Sequence, residues 1–310
     1  MPLDPQCQAI VDAASERGSV FDARTSEEAR ALYAASTDVF APQTPALKDV
    51  EDREVPGSGG PVPIRVYTPN ADRPLPILVY FHGGGWVFGD LDSHDAMCRI
   101  IANEAGCLVA SVDYRLAPEY KFPAGLMDCI AATNWFAQHG QEIGGDISRL
   151  AVGGDSAGGN LAAAVAQTAR DDGGPELKFQ WLIYPAVDFT AENASLRDNA
   201  EGYLLSAEAI RWTMAQYLEN EAIARDPRAS PALASSLTGL APALVQTAEF
   251  DPLRDEGQAY ADALKAAGVP TEYVLYEGMV HGFMRMGALV DRAGVALRYG
   301  ADKLRAAYST

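Results

Sequence analysis

The pentapeptide GDSAG at residues 154–158 combines a nucleophilic residue type with a spacing that could activate it. The apolar run RLAVGG precedes the serine and the helical run AGGNLAAAVAQ follows it, which predicts a strand, a sharp turn and a helix. Glycines two residues before and after Ser156 allow a tight turn that exposes its hydroxyl group. The start of the helix leaves amide groups free, that of Ala157 among them, to bind developing negative charge. We predict that Ser156 is a nucleophile; the alternative is a glycine-rich turn with a buried serine.

A glycine-rich loop, HGGGW at residues 82–86, follows the apolar run PILVYF. Consecutive glycines let backbone amides approach a ligand oxygen closely, as an oxyanion hole requires. A dinucleotide-binding loop or a plain turn would be the alternative. The dinucleotide pattern fails because Phe88 occupies the position of its last glycine, and the GxxxxGK[ST] phosphate loop occurs nowhere in the sequence. We therefore interpret residues 82–86 as an oxyanion-hole loop.

A serine hydroxyl needs a base to take its proton, and the sequence offers four histidines. His139 ends a helical stretch, where a cation favours the helix dipole without any catalytic role. We expect His94, in the polar segment GDLDSHDAM, to lie in a solvated loop or at a helix start, and His82 belongs to the glycine-rich loop. His281 follows the last strand-like run, TEYVLYEG, in a loop before the final helix, which is where a general base is expected.

An acid that orients this histidine should lie between the serine and the histidine in the sequence. The run ALVQTAEF ends at Asp251 and Pro252, and because proline cannot continue a central strand, Asp251 opens a loop. Glu249 competes but lies within the strand itself. Asp255 and Glu256 also compete, yet they begin a helical stretch whose first turn favours acids anyway. We predict Asp251 as the orienting acid.

The elements that must position these residues alternate along the chain. Short, continuous apolar runs bounded by Gly, Pro or acidic residues are typical of strands buried on both faces, and helical stretches lie between them. This pattern predicts an α/β fold with a mostly parallel central sheet and helices on both faces. Before it, two amphipathic helices are expected to open near Asp4 and Thr25, followed by an antiparallel hairpin with its turn at residues 56–61. Residues 189–237 interrupt the alternation and are interpreted as a helical insertion.

The composition narrows the classes of partner. With 48% hydrophobic and 21% charged residues, the chain is predicted to be globular. Its 42 acidic and 24 basic residues give a net charge of −18, which disfavours binding to nucleic acid and to anionic membranes. No apolar run approaches the roughly 20 residues that span a bilayer, and no secretion signal is recognised, so we expect no membrane span and a cytoplasmic location. The four scattered cysteines are interpreted as free thiols.

Five motifs in this order, HGGGW, DYRLAPE, GDSAGGN, DPLRDEG and HGF, resemble the hormone-sensitive lipase family of α/β hydrolases, in particular bacterial carboxylesterases with the GDSAG elbow. The resemblance covers nearly the whole chain and implies the α/β-hydrolase fold without a cofactor or metal. It implies Ser156 as nucleophile, His281 as base and Asp251 as acid. It also implies an oxyanion hole formed by the amides of Gly83, Gly84 and Ala157.

The same resemblance implies a helical cap made of residues 1–46 and 189–237 above a catalytic core of residues 47–188 and 238–310. The cap is expected to shape an acyl pocket for short- to medium-chain esters. Its apolar side chains are candidate pocket walls, although core packing is the simpler interpretation for any one of them: Phe40, Tyr203, Leu204, Leu205, Trp212 and Met214. A homodimer joined along the last strand and helix is a further expectation from the resemblance.

The sequence thus predicts a serine carboxylesterase that hydrolyses a small-molecule ester through an acyl-enzyme intermediate. An amidase or peptidase using the same three residues is one alternative, because the triad alone does not choose the leaving group. A non-catalytic receptor for a small ligand is another, since the resemblance extends to plant hormone receptors with an incomplete triad. The complete set of Ser156, Asp251 and His281 argues against the receptor.

Overall fold

The computed structural model describes residues 2–309, so Met1 and Thr310, the outermost residues of the predicted cap and core, lie outside the described range. Eight strands and nine α-helices form within it. The strands are β1 (Asp49–Gly57), β2 (Gly60–Thr68), β3 (Leu75–Phe81), β4 (Leu108–Val112), β5 (Gly145–Asp155), β6 (Phe179–Ile183), β7 (Ala243–Phe250) and β8 (Thr271–Val280). The helices are α1 (Pro5–Arg17), α2 (Ser26–Phe40), α3 (Asp95–Ala105), α4 (Ala124–His139), α5 (Ala157–Asp171), α6 (Ala194–Asp198), α7 (Ala207–Tyr217), α8 (Arg254–Ala266) and α9 (Asp291–Ala307).

The strands pair into one sheet in the order β1-β2-β4-β3-β5-β6-β7-β8. β1 and β2 pair antiparallel, as do β2 and β4, and every other neighbouring pair is parallel. The predicted α/β fold with a mostly parallel sheet is confirmed. β3, β4 and β6 are buried along their whole length, which explains their continuous apolar sequences. The expectation of full burial is wrong for β8, which is partly exposed because it lies at the sheet edge.

The ends of the elements follow the local sequence closely. Asp4 caps α1 by accepting a hydrogen bond from the Gln6 amide at 2.8 Å, and Thr25 caps α2 through the Glu28 amide at 3.1 Å. In the hairpin of β1 and β2, strand pairing continues to Gly57 and Gly60. The turn is therefore tighter than the predicted stretch of residues 56–61, because its prolines are paired across the two strands.

Two groups of helices, from separate parts of the sequence, lie outside the alternating core. α1 and α2 precede the first strand, whereas α6, α7 and two 3₁₀ turns, Glu221–Arg225 and Pro231–Leu233, lie between β6 and β7. Both groups contribute to the wall of one cavity. All four cysteines are buried free thiols, as predicted. No helix within the described residues has the length and the apolar character needed to cross a membrane.

Candidate active site

Ser156 lies in the sharp turn between β5 and α5. Its backbone has φ 55° and ψ −118°, a conformation that residues other than glycine rarely adopt. The Ser156 amide donates to the carbonyl of Ile183 at 2.8 Å, which fixes the turn against β6. A Cβ atom on Gly158 would lie 1.9 Å from the carbonyl oxygen of Phe81, so only glycine fits there. The turn therefore presents the serine as the glycine spacing predicted.

The structure brings the three predicted site residues into one hydrogen-bonded line. The Ser156 hydroxyl lies 2.9 Å from Nε2 of His281, and Nδ1 of His281 lies 2.7 Å from Oδ2 of Asp251. With Nδ1–H donating to the buried carboxylate, Nε2 is left as an acceptor for the serine proton. The other oxygen of Asp251 accepts from the Leu253 amide at 2.8 Å, which holds the carboxylate in orientation.

The competing acids are bound elsewhere. Glu249 accepts from the Gly278 amide at 2.7 Å and links β7 to β8. Asp255 accepts from the Ser195 amide at 2.8 Å and pairs with its neighbour Arg254. Neither has a hydrogen bond with His281 among the described residues.

Glu256 has an environment unlike that of an ordinary acid in the first turn of a helix. It is 8% exposed and lines the cavity, and its Oε1 accepts from the amides of Val187 at 2.7 Å and Asp188 at 3.3 Å. Burial raises the pKa of this carboxyl group to about 8. The side chain therefore fastens the start of the insertion to α8 while it remains largely uncharged near neutral pH.

The oxyanion-hole prediction is wrong for Gly83. Its amide donates to Oδ1 of Asp155 at 2.9 Å, so the amide is not free to bind a substrate oxygen. Gly84 and Gly85 line the cavity, and no described residue accepts a hydrogen bond from their amides or from that of Ala157. Gly84 has φ +127°, and a Cβ there would lie 2.0 Å from a carbonyl oxygen of the same loop.

The motifs predicted no role for Asp155, although it is the second residue of GDSAG. It is 3% exposed, and besides the Gly83 amide it accepts from the Tyr80 hydroxyl at 2.8 Å and contacts Nε2 of His94 at 3.2 Å. Burial alone would raise the Asp155 pKa, but the His94 charge and the hydrogen bonds from His94 and Tyr80 outweigh it and hold the pKa below its ordinary value. Asp155 lies next to the proposed nucleophile and at the end of an apolar strand. That position is the sequence signal that could have indicated these buried contacts.

The remaining histidines occupy different environments. His94 lies at a helix start, one of its two expected positions, as the N-cap residue of α3, but it is fully buried beside Asp155 and not in a solvated loop. His82 is also fully buried, and burial, followed by the neighbouring His94, lowers its pKa to about 4. His139 ends α4 and lies 2.8 Å from Glu142 at the surface, as its sequence position predicted.

Ser156 and His281 open onto a cavity of about 1270 Å³. Most of its lining is apolar and comes from α1, α2, the glycine-rich loop and the insertion. Four of the six predicted wall residues line it: Phe40, Leu204, Leu205 and Met214. Two do not, because Tyr203 packs against Phe250 and Trp212 against the core. Within residues 2–309, no cluster of three or more His, Cys, Asp or Glu side chains is arranged to hold a metal ion.

Comparisons with known proteins place this arrangement in a family. Residues 78–285 match the sequence model of a family described by the alpha/beta hydrolase fold. Two relatives come from Mycobacterium tuberculosis. The carboxylic ester hydrolase LipN is 49% identical over 77% of this chain and 65% of that protein, and the esterase LipI is 40% identical over 98% of this chain and 94% of that protein.

A solved structure agrees with the sequence comparisons over the full length. The hyperthermophilic esterase from Pyrobaculum calidifontis superposes with a TM-score of 0.94 at 40% identity, covering 99% of both chains. This identity and coverage extend the match beyond the general fold. The chain therefore belongs to the α/β-hydrolase family, and within it to the hormone-sensitive-lipase-like esterases that its motifs predicted.

Proposed function

We propose that Ser156, His281 and Asp251 carry out carboxylic ester hydrolysis, the activity for which the relatives are named. The observation that carries the proposal is the unbroken hydrogen-bonded line from the serine hydroxyl to the buried carboxylate, with the serine at the wall of a large cavity. A serine without a base within hydrogen-bonding distance is a weak nucleophile near neutral pH. Here His281 lies within hydrogen-bonding distance of Ser156, and Asp251 lies within hydrogen-bonding distance of His281.

The mechanism follows from these contacts. Ser156 Oγ attacks the ester carbonyl carbon while Nε2 of His281 accepts the serine proton, and Asp251 stabilises the imidazolium that forms. The imidazolium then gives this proton to the leaving alcohol, which departs and leaves an acyl group on the serine. A water molecule, deprotonated by His281, attacks the acyl-enzyme; the bond from the acyl carbon to Ser156 Oγ then breaks, the imidazolium returns the proton to Oγ, and the carboxylic acid leaves. No step requires a bound cofactor.

The developing oxyanion requires donors in place before the reaction begins. We assign this role to the amides of Gly84, Gly85 and Ala157. Gly85 replaces Gly83 in the assignment because it lines the cavity and its amide has no acceptor among the described residues. The first turn of α5 adds the partial positive charge of a helix N-terminus on the same side.

The helices outside the core are proposed to act as a cap, made of residues 1–46 and 189–237, over a core of residues 47–188 and 238–310. Lining residues from α1, α2 and α7 support this division, since separate parts of the chain meet around one cavity. Their apolar side chains favour an aliphatic acyl group of short to medium length. The predicted cytoplasmic location and the predicted lack of nucleic-acid partners stay predictions from the sequence.

A matched pair of variants tests the proposed nucleophile. Ser156→Ala is expected to lower kcat for p-nitrophenyl butyrate by at least about 10⁴-fold, because removal of a triad nucleophile leaves only binding and oxyanion stabilisation. Ser148→Ala is the control, since Ser148 is exposed and, among the described residues, its hydroxyl bonds only Asp146. A fluorophosphonate should label wild type at one residue per chain and leave Ser156→Ala unlabelled. Retention of most activity by Ser156→Ala would exclude the proposed mechanism.

A further inference from the structure

The cavity wall contains a buried positive charge that no described carboxylate neutralises. Arg285 ends the 3₁₀ turn Phe283–Arg285, four residues after His281, and it lines the same cavity as Ser156. It is 8% exposed. Among residues 2–309, no carboxylate oxygen lies within 4.0 Å of its guanidinium group, whereas most other arginines in the structure form such ion pairs.

The groups that do contact Arg285 are uncharged and belong to α2. The guanidinium carbon lies 3.9 Å from the ring centroid of Tyr33 and 5.4 Å from that of Phe40, and Nη2 donates to the Ser36 hydroxyl at 2.5 Å. Nη1 is buried and has no hydrogen-bond partner among the described residues. The rings and the hydroxyl hold the side chain in place, but they supply no negative charge.

A buried cation without a counter-ion lowers the folding stability of the ligand-free protein. Removing a charge from water without an opposite charge costs several kcal/mol, which neutral hydrogen bonds and aromatic contacts recover only in part. A leucine or methionine would fill the same space beside two aromatic rings without that cost. A buried cation in a binding cavity is therefore better explained by a ligand that completes it than by a contribution to folding stability.

Four carboxylates share the cavity with Arg285. Glu192 is exposed to solvent and lies more than 4.0 Å from the guanidinium group, and the other three are bound to other groups. Asp155 accepts from the Gly83 amide, and Asp188 accepts from the amide and hydroxyl of Thr190. Glu256 accepts backbone amides, and its pKa of about 8 leaves it mostly uncharged near neutral pH.

Arg285 also borders a second cavity of about 10 Å³, roughly the space of one water molecule. Asp92 also borders this cavity, but its carboxylate pairs with Arg65 at 2.7 Å. A water molecule there could accept a hydrogen bond from Arg285, yet it would leave the charge without a counter-ion.

We propose that Arg285 binds a carboxylate group of the substrate, so that the preferred esters carry a negative charge at the end of their acyl or alcohol part. The planar guanidinium group matches a carboxylate with two parallel hydrogen bonds, a geometry that lysine cannot reproduce. This inference rests on the proposed function, because it names the substrate class of the same serine site. The preference for anionic esters would then depend on Arg285, which lies on the same loop as the base, His281.

Two pairs of esters of nearly equal size test the inference. Mono-4-nitrophenyl glutarate and 4-nitrophenyl pentanoate differ only at the far end of the acyl group, whereas 4-acetoxybutanoate and butyl acetate differ at the end of the alcohol. The measured quantity is the ratio of kcat/KM for the anionic member over the neutral member. We expect the ratio to exceed one in wild type for at least one pair, and that pair shows which part of the ester reaches Arg285.

In Arg285→Gln this ratio should fall at least about tenfold, because one charge-assisted hydrogen bond to the substrate contributes about that factor. Arg285→Lys keeps the positive charge but cannot form the two parallel hydrogen bonds, and it should give an intermediate ratio. Arg53→Gln removes the same charge from an exposed position outside the cavity, where Arg53 pairs with Glu51, and should keep the wild-type ratio.

The inference is overturned if both wild-type ratios lie below one, or if the ratio is equal in wild type and Arg285→Gln. If Arg285→Gln does not fold, the wild-type ratios and Arg285→Lys decide by the same criteria. Failure of the proposed function is a different result, because wild type would then hydrolyse none of the four esters.

Discussion

At the scale of single residues, Asp155 connects two parts of the site that are distant in the sequence. It is covalently next to the proposed nucleophile, and its carboxylate accepts the amide of Gly83 at the start of the glycine-rich loop. The position of the loop that carries Gly84 and Gly85 therefore depends on the same strand end that carries Ser156. We infer that Asp155 positions the oxyanion donors without contacting the substrate.

Replacing Asp155 tests this coupling. Asp155→Ala leaves the Gly83 amide and the Tyr80 hydroxyl without their acceptor, so we expect kcat to fall about 10- to 100-fold with a smaller change in KM. Asp155→Asn keeps one acceptor oxygen and should recover part of the loss. Steady-state kinetics with p-nitrophenyl butyrate measure both variants. An equal loss for Ala and Asn, or a change in KM alone, would contradict the positioning role.

Glu256 gives the stability of the fold a pH dependence with a definite sign. Its folded-state pKa of about 8 lies above the ordinary value of 4.5, so the folded state holds a proton that the unfolded state has lost between these values. Stability from this group is therefore greatest below about pH 4.5, falls as the pH rises toward 8, and is constant above that. The size is limited to about 1.4 kcal/mol per unit of pKa shift.

Glu256→Gln keeps an acceptor for the Val187 amide and removes the ionisation. We expect the Tm of wild type to fall more than that of Glu256→Gln between about pH 5 and pH 9. Thermal melts by circular dichroism across this range provide the measurement. Parallel pH curves for the two proteins would show that the carboxyl group does not titrate as described.

At the scale of elements, the strand-turn-helix unit around Ser156 has no room for a side chain at its tightest point. Gly158→Ala would place a methyl group 1.9 Å from the Phe81 carbonyl oxygen, so we expect a destabilisation of about 3 kcal/mol or more and loss of activity. Gly294→Ala in α9 is the matched control, because its methyl group would meet only the end of the flexible Arg298 side chain. That variant should be neutral or stabilised by up to about 1 kcal/mol, as judged by urea denaturation.

The elements themselves were predictable because their signals are local. The strands have continuous apolar sequences, and Asp251, followed by a proline, marks the end of one of them. What the sequence could not reveal is which distant group each polar atom meets. The Gly83 amide meets a carboxylate 72 residues away in the sequence, and His94 is buried beside that same carboxylate. The lack of a carboxylate beside Arg285 among the described residues is likewise visible only once its neighbours are assembled.

At the scale of the whole molecule, one edge of the sheet and the last helix expose large apolar side chains. Among the described residues β8 is the last strand at its edge of the sheet, and Leu275 on β8 and Val295 on α9 are 38% and 46% exposed. Large exposed apolar side chains on an edge strand and on a neighbouring helix favour pairing with a second copy. We propose a homodimer joined along β8 and α9, as the family resemblance implies.

Substituting a charge at this edge tests the dimer. Wild type should elute with twice the chain mass of 33.0 kDa in size-exclusion chromatography with light scattering, and Val295→Asp should shift it toward the single-chain mass. Val39→Asp, at an exposed apolar residue on α2, is the control and should remain dimeric. A wild-type protein with the mass of one chain would disprove this association.

The origin of the side chains around the cavity bears on how the molecule could change over time. The proposed proton relay comes from loops at the ends of β5, β7 and β8, whereas much of the rest of the cavity wall comes from α1, α2 and α7. Mutations that reshape the entrance can therefore accumulate without disturbing the bonds that are made and broken inside. Randomising the wall positions of these three helices in a library should yield enzymes with new substrate preferences and largely preserved turnover.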